Sequence, residues 1–404
     1  MDLKAKLDMY IKSEKPANTV QKRTGPDIHE IMDGTVLSNC DGSFFLLEDI
    51  YPDRYIHGGY PLGKVYEIKY NTLCKVFDGM EESFDIREFL FLDTETTGLS
   101  GGTGTVAFLV GVGFYKEDTF VLRQFLMRDY DEEPAMLREL NDLMKGYKYL
   151  VTFNGKAFDW NLLQTRFTFN RIKMNMKSPI HLDLLYPSRR IWKLKLESCR
   201  LTSLEENVLE EYRVDDIPGA LIPGIYFKYL EDRNATEIKK VMTHNKLDII
   251  SMVSLLAKIN SLLEKPFAES DGQHELLGVG RIFETGGRNS EVRECYESCM
   301  KSGNSLVSSL AYKRLVSICK RNRDYSKLAE YCEQMLSYGL TNRIPILIEL
   351  AKYYEHRAKD MIRAIETVEA AISECTKIGL GSSLYRSELK IRHDRLKRKI
   401  ASHI

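Results

Sequence analysis

The sequence predicts an α/β domain with a mixed sheet and flanking helices, followed by an all-α helical repeat domain. Two observations lead to this fold class. Between residues 87 and about 265, three consecutive strand patterns are followed by alternating helix and strand patterns, which is typical of a mixed sheet. After Pro266 the strand patterns stop and paired helical patterns take over.

Length and composition set the outer limits. The 404 residues are enough for two or three domains, and 58 Lys and Arg cancel 58 Asp and Glu, so any nucleic-acid surface must be local. The charged start lacks the apolar core of a signal peptide, and the longest apolar run, Thr105 to Phe114, is about half of what spans a bilayer. Eight cysteines without a CxxC pair suit reduced thiols. We expect a cytoplasmic protein without a membrane partner.

Residues 1–88 contain short apolar runs bounded by Gly and Pro. SFFLLE at 43–48 and KVYEIK at 64–69 suggest strands. We interpret this region as a β-rich cap or extension packed on the next domain; a module that guides the substrate is the alternative.

The second predicted domain covers residues 89–265. Its strands are predicted near 88–93, 105–115, 119–127, 149–153 and 180–185, and its helices near 132–145, 157–169 and 236–263.

The third predicted domain covers residues 270–404. Its helix pairs are predicted near 274–285 with 290–301, 305–320 with 325–338, and 342–358 with 361–377, followed by a last helix from about 382. Asp324 and Asp360 lie 36 residues apart, as do Gly303 and Gly339, close to the tetratricopeptide period of about 34. The interval from Gly339 to Gly379 is 40 residues. Tetratricopeptide-like repeats are therefore the interpretation, and a generic helical bundle is the alternative.

The run FLFLDTETTGL at 89–99 ends an apolar strand with two carboxylates. Because strand side chains alternate, Asp93 and Glu95 point to one face. Adjacent carboxylates repel one another, and a hard divalent cation such as Mg²⁺ removes that cost. The alternative is a strand that ends in a polar turn.

A second acid, Asp159, lies in NGKAFD at 154–159, where a short strand leads into a helix. Gly155 permits a tight turn, and the helix start would place Asp159 near the sheet edge. By itself, this residue is better explained as an acid at a helix start that is favoured by the helix dipole.

The third acidic motif, HNKLD, lies in the long helix. Val241, Asp248, Leu255 and Leu262 recur every seven residues, so Asp248 interrupts an apolar stripe, and His244 lies one turn earlier on the same face. A carboxylate on a buried stripe needs a partner or a metal. Four such acids suit a two-metal phosphoryl-transfer site with ions about 4 Å apart, and His244 suits deprotonation of the attacking water.

In this order, DTETTGL, NGKAFD and HNKLD resemble the exonuclease motifs of the DEDD (DnaQ-like) superfamily, and more closely the YprB-type ribonuclease-H-like proteins with C-terminal tetratricopeptide repeats. The resemblance implies a ribonuclease-H-like fold and two Mg²⁺ or Mn²⁺ ions. It also implies removal of nucleotides from a 3′ end. The four metal-binding and catalytic acids would be Asp93, Glu95, Asp159 and Asp248.

His244 departs from the family pattern. The His-type branch usually has its histidine five residues before the last aspartate, whereas His244 lies four before Asp248, the spacing of the tyrosine in the Tyr-type branch. Its role as general base therefore stays open. Asp183 near another strand end is interpreted as a structural partner, with an auxiliary ligand as the alternative.

A basic segment lies between Trp160 and Arg200, with nine Lys or Arg, two acids and interleaved aromatic residues. Cations and aromatic faces are what single-strand binding needs, although a solvated basic face is the alternative. The residues expected to contact single-stranded DNA or RNA are Thr94, Asn154, Phe158, Arg189, Arg190, Trp192 and Lys193.

The expected function is a metal-dependent 3′–5′ exonuclease acting on single-stranded ends. Two other classes remain open: a catalytically weak nucleic-acid-binding adaptor that recruits proteins through its helical repeats, and a structure-selective endonuclease on the same fold. Either way, the repeats predict a protein partner.

Overall fold

The computed structural model describes residues 25–98, 104–286, 289–338, 343–378 and 383–401. They divide into two compact units. The first contains the described residues up to Arg189 together with Ser198–Asn260, and the second contains Arg190–Glu197 and the described residues from Ser261 onward. The charged start of the chain, on which the expectation about secretion rests, lies outside the described residues.

The first unit is built on a seven-stranded mixed sheet. Its order is β1-β2-β7-β6-β5-β8-β9; β5, β8 and β9 pair in parallel and the other neighbours are antiparallel. The strands are β1 (Thr35–Asn39), β2 (Gly42–Pro52), β5 (Phe89–Thr96), β6 (Ala107–Lys116), β7 (Thr119–Leu126), β8 (Tyr149–Thr152) and β9 (Ile180–Asp183), with β3 (Ile56–His57) and β4 (Tyr60–Pro61) forming a separate two-stranded sheet. The predicted mixed sheet is confirmed.

Helices of at least eight residues are numbered here. The first five are α1 (Glu133–Met144), α2 (Asp159–Phe169), α3 (Leu185–Trp192), α4 (Ile222–Asp232) and α5 (Thr236–Glu264). Shorter helical segments are Ile28–Ile31, Leu62–Glu67, Tyr70–Leu73, Ile86–Glu88, Tyr130–Glu132, Leu201–Leu204, Glu205–Leu209 and Gly219–Leu221. Helices α1, α2 and α5 lie where the apolar spacing predicts them, whereas the sequence patterns did not indicate α3 or α4.

The central strand β6 shows how the sheet receives α5. Phe108, Val110 and Val112 are fully buried at alternate positions of the strand. On the opposite face are Gly111 and Gly113, where a Cβ would lie within 3 Å of atoms of α5. The glycines therefore let α5, which carries His244 and Asp248, approach the sheet closely.

The amino-terminal strands β1 and β2 are part of the seven-stranded sheet. β2 pairs antiparallel with β7, with Phe45 opposite Leu126, so these strands extend the same sheet because the free edge of β7 accepts a further strand. The KVYEIK segment is also different from the expected strand, since 62–67 form a 3₁₀ helix. Leu62, Val65 and Ile68 are buried at every third residue, which is the period of that helix.

The second unit is all-α over its described residues, as predicted. Its helices are α6 (Gln273–Thr285), α7 (Asn289–Met300), α8 (Ser305–Arg321), α9 (Tyr325–Ser337), α10 (Ile344–Tyr353), α11 (Met361–Ile378) and α12 (Ser383–Ala401), with the short segments Pro266–Glu269 and Tyr354–Ala358. Gly339, Gly379 and the predicted helix starts at 342 and 382 lie outside the described residues. None of the described helices is long and apolar enough to cross a membrane.

A buried carboxylate anchors α12 in the second unit. The Glu355 side chain is fully buried and accepts from Arg392 Nη1 and Arg395 Nη2, each at 2.7 Å, and from Lys399 Nζ at 2.9 Å. These cations hold the pKa of Glu355 at about 2, even though burial alone would raise it. Three cations on one face of α12 therefore hold this helix against Glu355.

Candidate metal centre

The first two acids of the site lie on β5. Asp93 and Glu95 are two residues apart and alternate with buried Thr94 and Thr96, so both carboxylates leave the same face of the strand. Asn245 Nδ2 of α5 donates to Asp93 Oδ2 at 2.9 Å. This bond fixes the strand carboxylate to the helix that carries the third acidic motif.

Asp159 is the first residue of α2, and Thr94 Oγ1 donates a hydrogen bond to its Oδ1. The loop before α2 is held by Asp183. Its carboxylate accepts from the backbone N–H of Asn154 at 2.8 Å and of Lys156 and Leu185 at 3.1 Å. Asp183 is therefore a structural partner of this loop, because its oxygens are occupied by backbone donors.

His244 and Asp248 lie one turn apart on α5. His244 Nε2 lies 3.7 Å from Asp248 Oδ2 and 4.0 Å from Glu95 Oε1, and the three side chains are only 12–16% exposed. One ligand atom of each residue lies within 4.8 Å of the others. The sheet and the helix thus bring motifs together that are about 150 residues apart in the chain.

The carboxylates strongly influence one another. Burial, followed by the charge of Asp248, raises the pKa of Asp93 and Glu95 well above their usual values. Burial also raises the pKa of Asp159 to about 6, although its bond with Thr94 acts in the opposite direction. Ionising several buried carboxylates side by side is energetically unfavourable, because their negative charges repel one another. Divalent cations bound between them would offset this repulsion, so the group is suited to binding such ions.

Sequence reasoning missed three polar residues of this site. Arg213 Nη2 donates to Glu205 Oε1 at 2.5 Å and also bonds Asp248 Oδ1, and Arg213 Nη1 lies 3.4 Å from Asp216 Oδ2. Asp216 in turn bonds His244. Asp216 begins the stretch DIPGALIP, and Arg213 and Glu205 gave no periodic signal because they lie in a loop and a single π turn.

Arg213 and the acids that it contacts are connected by hydrogen bonds to His57 and Gly58, near the start of the first unit. Glu205 hydrogen-bonds Ser251 of α5, and Ser251 Oγ lies 2.7 Å from His57 Nε2. Burial lowers the pKa of His57, which favours the neutral imidazole in this contact. The backbone N–H of Gly58 donates to Glu211 at 3.1 Å. The hairpin of β3 and β4 therefore supports the segment that carries Arg213.

The proposed nucleic-acid residues of α3 divide into two groups. Tyr186, Arg189 and Arg190 are exposed at spacings of three and four on one face of the helix, and the exposed Lys193 follows directly after its last residue. Trp192 is fully buried, and its indole donates to Glu275 Oε1 at 3.0 Å. A buried ring has no free face for a base, so the expectation that Trp192 contacts nucleic acid is not retained.

The three remaining expected contacts lie beside the acids. Thr94 is buried, and its hydroxyl is occupied by Asp159, which makes it a positioning residue of the carboxylate. In the loop that leads to α2, Asn154 is exposed and has a left-handed φ of 68°, and Phe158 is half-buried. Both residues belong to the segment that ends at Asp159.

The chain is similar to known proteins over most of its length. Residues 90–260 match the sequence profile of the RNase_H superfamily, and the seven-stranded mixed sheet with its helices is ribonuclease-H-like. Over a longer stretch the chain is similar to the uncharacterized protein YprB of Bacillus subtilis (strain 168). The two are 28% identical over 372 residues, which is 90% of this chain and 88% of that protein. A ribonuclease-H-like domain is therefore followed by an all-helical region.

Proposed function

We propose that this protein is a metal-dependent nuclease that hydrolyses phosphodiester bonds of single-stranded DNA or RNA from the 3′ end. The observation that carries the proposal is the convergence of four carboxylates from β5, α2 and α5, three of which have a raised pKa. The match to the RNase_H superfamily across the same residues supports a hydrolase acting on nucleic acid.

Two Mg²⁺ or Mn²⁺ ions fit this donor set, because hard cations prefer carboxylate oxygens. Asp93, Glu95, Asp159 and Asp248 would hold them. When bound, such ions activate a water and stabilise the leaving oxygen of an in-line displacement. The chain itself supplies orientation: Asn245 fixes the Asp93 carboxylate, and Thr94 fixes that of Asp159.

The exposed face of α3, together with Lys193 directly after it, is our candidate surface for the single strand. Arg189, Arg190 and Lys193 would neutralise phosphates, and Tyr186, which is 51% exposed, offers a ring for stacking. Each lost phosphate contact should reduce the slope of log affinity against log salt by about 0.7. Asn154 and Phe158 would contact the terminal nucleotide. The helices of the second unit are interpreted as tetratricopeptide-like repeats that bind a protein partner.

The test uses 5′-labelled single-stranded DNA and RNA of one sequence, each as linear and circular molecules, with Mn²⁺ or Mg²⁺. The wild type should shorten the linear strands stepwise from the 3′ end and leave the circles intact. Asp93→Asn removes a ligand charge with little change in shape and should lower the rate by at least about 100-fold. Asp85→Asn, at an exposed acid outside the site, is the matched control and should cleave like the wild type.

The other outcomes identify the rival functions. Cleavage of circles would mean an endonuclease. Binding of both strands without cleavage, under conditions in which Asp93→Asn and wild type behave alike, would favour the nucleic-acid-binding adaptor. Full activity of Asp93→Asn would show that the site is assigned to the wrong residues.

A further inference from the structure

The His244 ring has two different environments at its two nitrogens. Nδ1 lies 2.7 Å from Asp216 Oδ1 and 3.2 Å from Arg213 Nη1. A carboxylate only accepts and a guanidinium only donates, so Nδ1 satisfies one of them. The shorter contact to a charged acceptor favours Nδ1–H donating to Asp216. In that tautomer Nε2 carries a lone pair.

The lone pair on Nε2 faces two further acceptors. Asp248 Oδ2 lies 3.7 Å away and Glu95 Oε1 lies 4.0 Å away. Three acceptors that face one another are repulsive unless a cation lies between them. Two ligand atoms on one cation with bonds of about 2.1 Å are at most about 4.2 Å apart. Both distances from Nε2 meet that limit.

Arg213 fixes the orientation of the Asp248 carboxylate, as Asp216 fixes that of the His244 ring. Its guanidinium bonds Asp248 Oδ1, and Glu205, whose side chain is 2% exposed, holds the same guanidinium at 2.5 Å. Asp248 Oδ2 is the oxygen that lies toward His244 Nε2. The arginine therefore positions Asp248 so that a single oxygen is presented to a cation.

We propose that His244 binds a divalent cation through Nε2, together with Glu95 and Asp248, and that Asp216 positions its ring by accepting from Nδ1. This inference rests on the metal site of the proposed function and changes the role of the histidine from base to ligand. A carboxylate that holds the second ring nitrogen is the usual partner of a metal-binding imidazole. A site with one nitrogen and several oxygen ligands prefers Mn²⁺ to Mg²⁺ more strongly than an all-carboxylate site does.

The test measures binding of Mn²⁺ to the full chain without nucleic acid. Pulsed electron paramagnetic resonance should show coupling of bound Mn²⁺ to a histidine nitrogen in the wild type. His244→Asp keeps a ligand but removes the nitrogen, so Mn²⁺ should still bind while the nitrogen coupling disappears. The matched control is His356→Gln, at a half-exposed histidine of the second unit, which should keep the coupling.

Calorimetric titrations provide the second measurement. The ratio of Mn²⁺ to Mg²⁺ affinity should fall by about 10-fold or more in His244→Asp. Asp216→Asn should weaken Mn²⁺ binding by about 10- to 100-fold, because the ring loses its orientation. Thermal unfolding of each variant shows that the fold is retained.

The possible failures are distinguishable. If Mn²⁺ binds to the wild type without nitrogen coupling, or if the coupling persists in His244→Asp, His244 is not a ligand and the carboxylate site of the nuclease still stands. If neither cation binds in a manner that depends on Asp93, both the ligand role and the proposed nuclease function are wrong.

Discussion

Replacement of Gly111 by alanine tests the close approach of α5 to the sheet. A Cβ at this position would lie 2.1 Å from Asn245 Oδ1 and 2.4 Å from Ile249 Cδ1. Ordinary van der Waals contact requires about 3.4 Å or more, so α5 or the strand has to move by roughly 1 Å. Asn245 has no room to yield by itself, since it bonds both Asp93 and Gln124.

The expected loss of stability follows from these contacts. Overpacking a buried position costs about 1–3 kcal/mol, and weakening two buried hydrogen bonds adds about 1 kcal/mol each. Gly111→Ala should therefore lower the free energy of unfolding by about 3–5 kcal/mol. A shift of roughly 1 Å between the candidate ligands on β5 and those on α5 should also reduce the proposed nuclease activity by about 100-fold.

Urea unfolding and cation titration of three variants would measure the change in the free energy of unfolding and in cation affinity. The nearest atoms to a Cβ at Gly113 belong to Phe120 and Ile249, whereas at Gly111 the nearest is Asn245 Oδ1. Gly113→Ala should therefore lose stability and retain more of its cation affinity than Gly111→Ala. Gly224→Ala has open space in α4 and should be up to about 1 kcal/mol more stable. A Gly111→Ala protein with wild-type stability and cation affinity would refute the claim that this glycine sets the distance between helix and sheet.

Three further predictions concern buried polar groups. Arg213→Met leaves the Glu205 carboxylate buried without its cation and should cost about 3–5 kcal/mol in urea unfolding; a loss below about 1 kcal/mol would contradict the assigned ion pair. Glu355→Gln should cost about 1–3 kcal/mol at pH 7. Because the folded pKa of about 2 lies below the usual 4.5, the advantage of the wild type is present above about pH 4.5 and disappears as the pH falls toward 2, which unfolding measured across this range would show. Trp192→Phe loses the indole bond to Glu275 and about 1–3 kcal/mol, and fluorescence anisotropy should show unchanged affinity for a single strand; a clear loss of affinity would mean that the tryptophan contacts nucleic acid after all.

Much of the site could be predicted because its pairs are local. Alternation along a strand places Asp93 and Glu95 on one face, and a spacing of four in a helix places His244 beside Asp248. Apolar runs likewise predicted the central strands and α5. These relations depend on backbone geometry within one element, so they can be derived without knowledge of the neighbours.

Contacts between distant segments could not be predicted in this way. The sequence indicated a basic and aromatic stretch around α3, yet the structure buries Trp192 against Glu275 and leaves Tyr186 exposed. Likewise Arg213 is unremarkable in the sequence, although it joins Glu205 to Asp248. Which face of a helix is covered depends on the elements that pack against it.

By itself, then, the sequence determined the fold class and the central strands and indicated the candidate carboxylates, because periodicity and motif spacing are properties of short segments. The tertiary structure decided three other matters. β1 and β2 extend the sheet, Asp183 holds a loop, and Asp216 and Arg213 determine which atoms of His244 and Asp248 remain for a cation. Each of these depends on side chains or strand edges that packing brings together from distant parts of the chain. The spacing of residues within a short segment does not predict such long-range contacts.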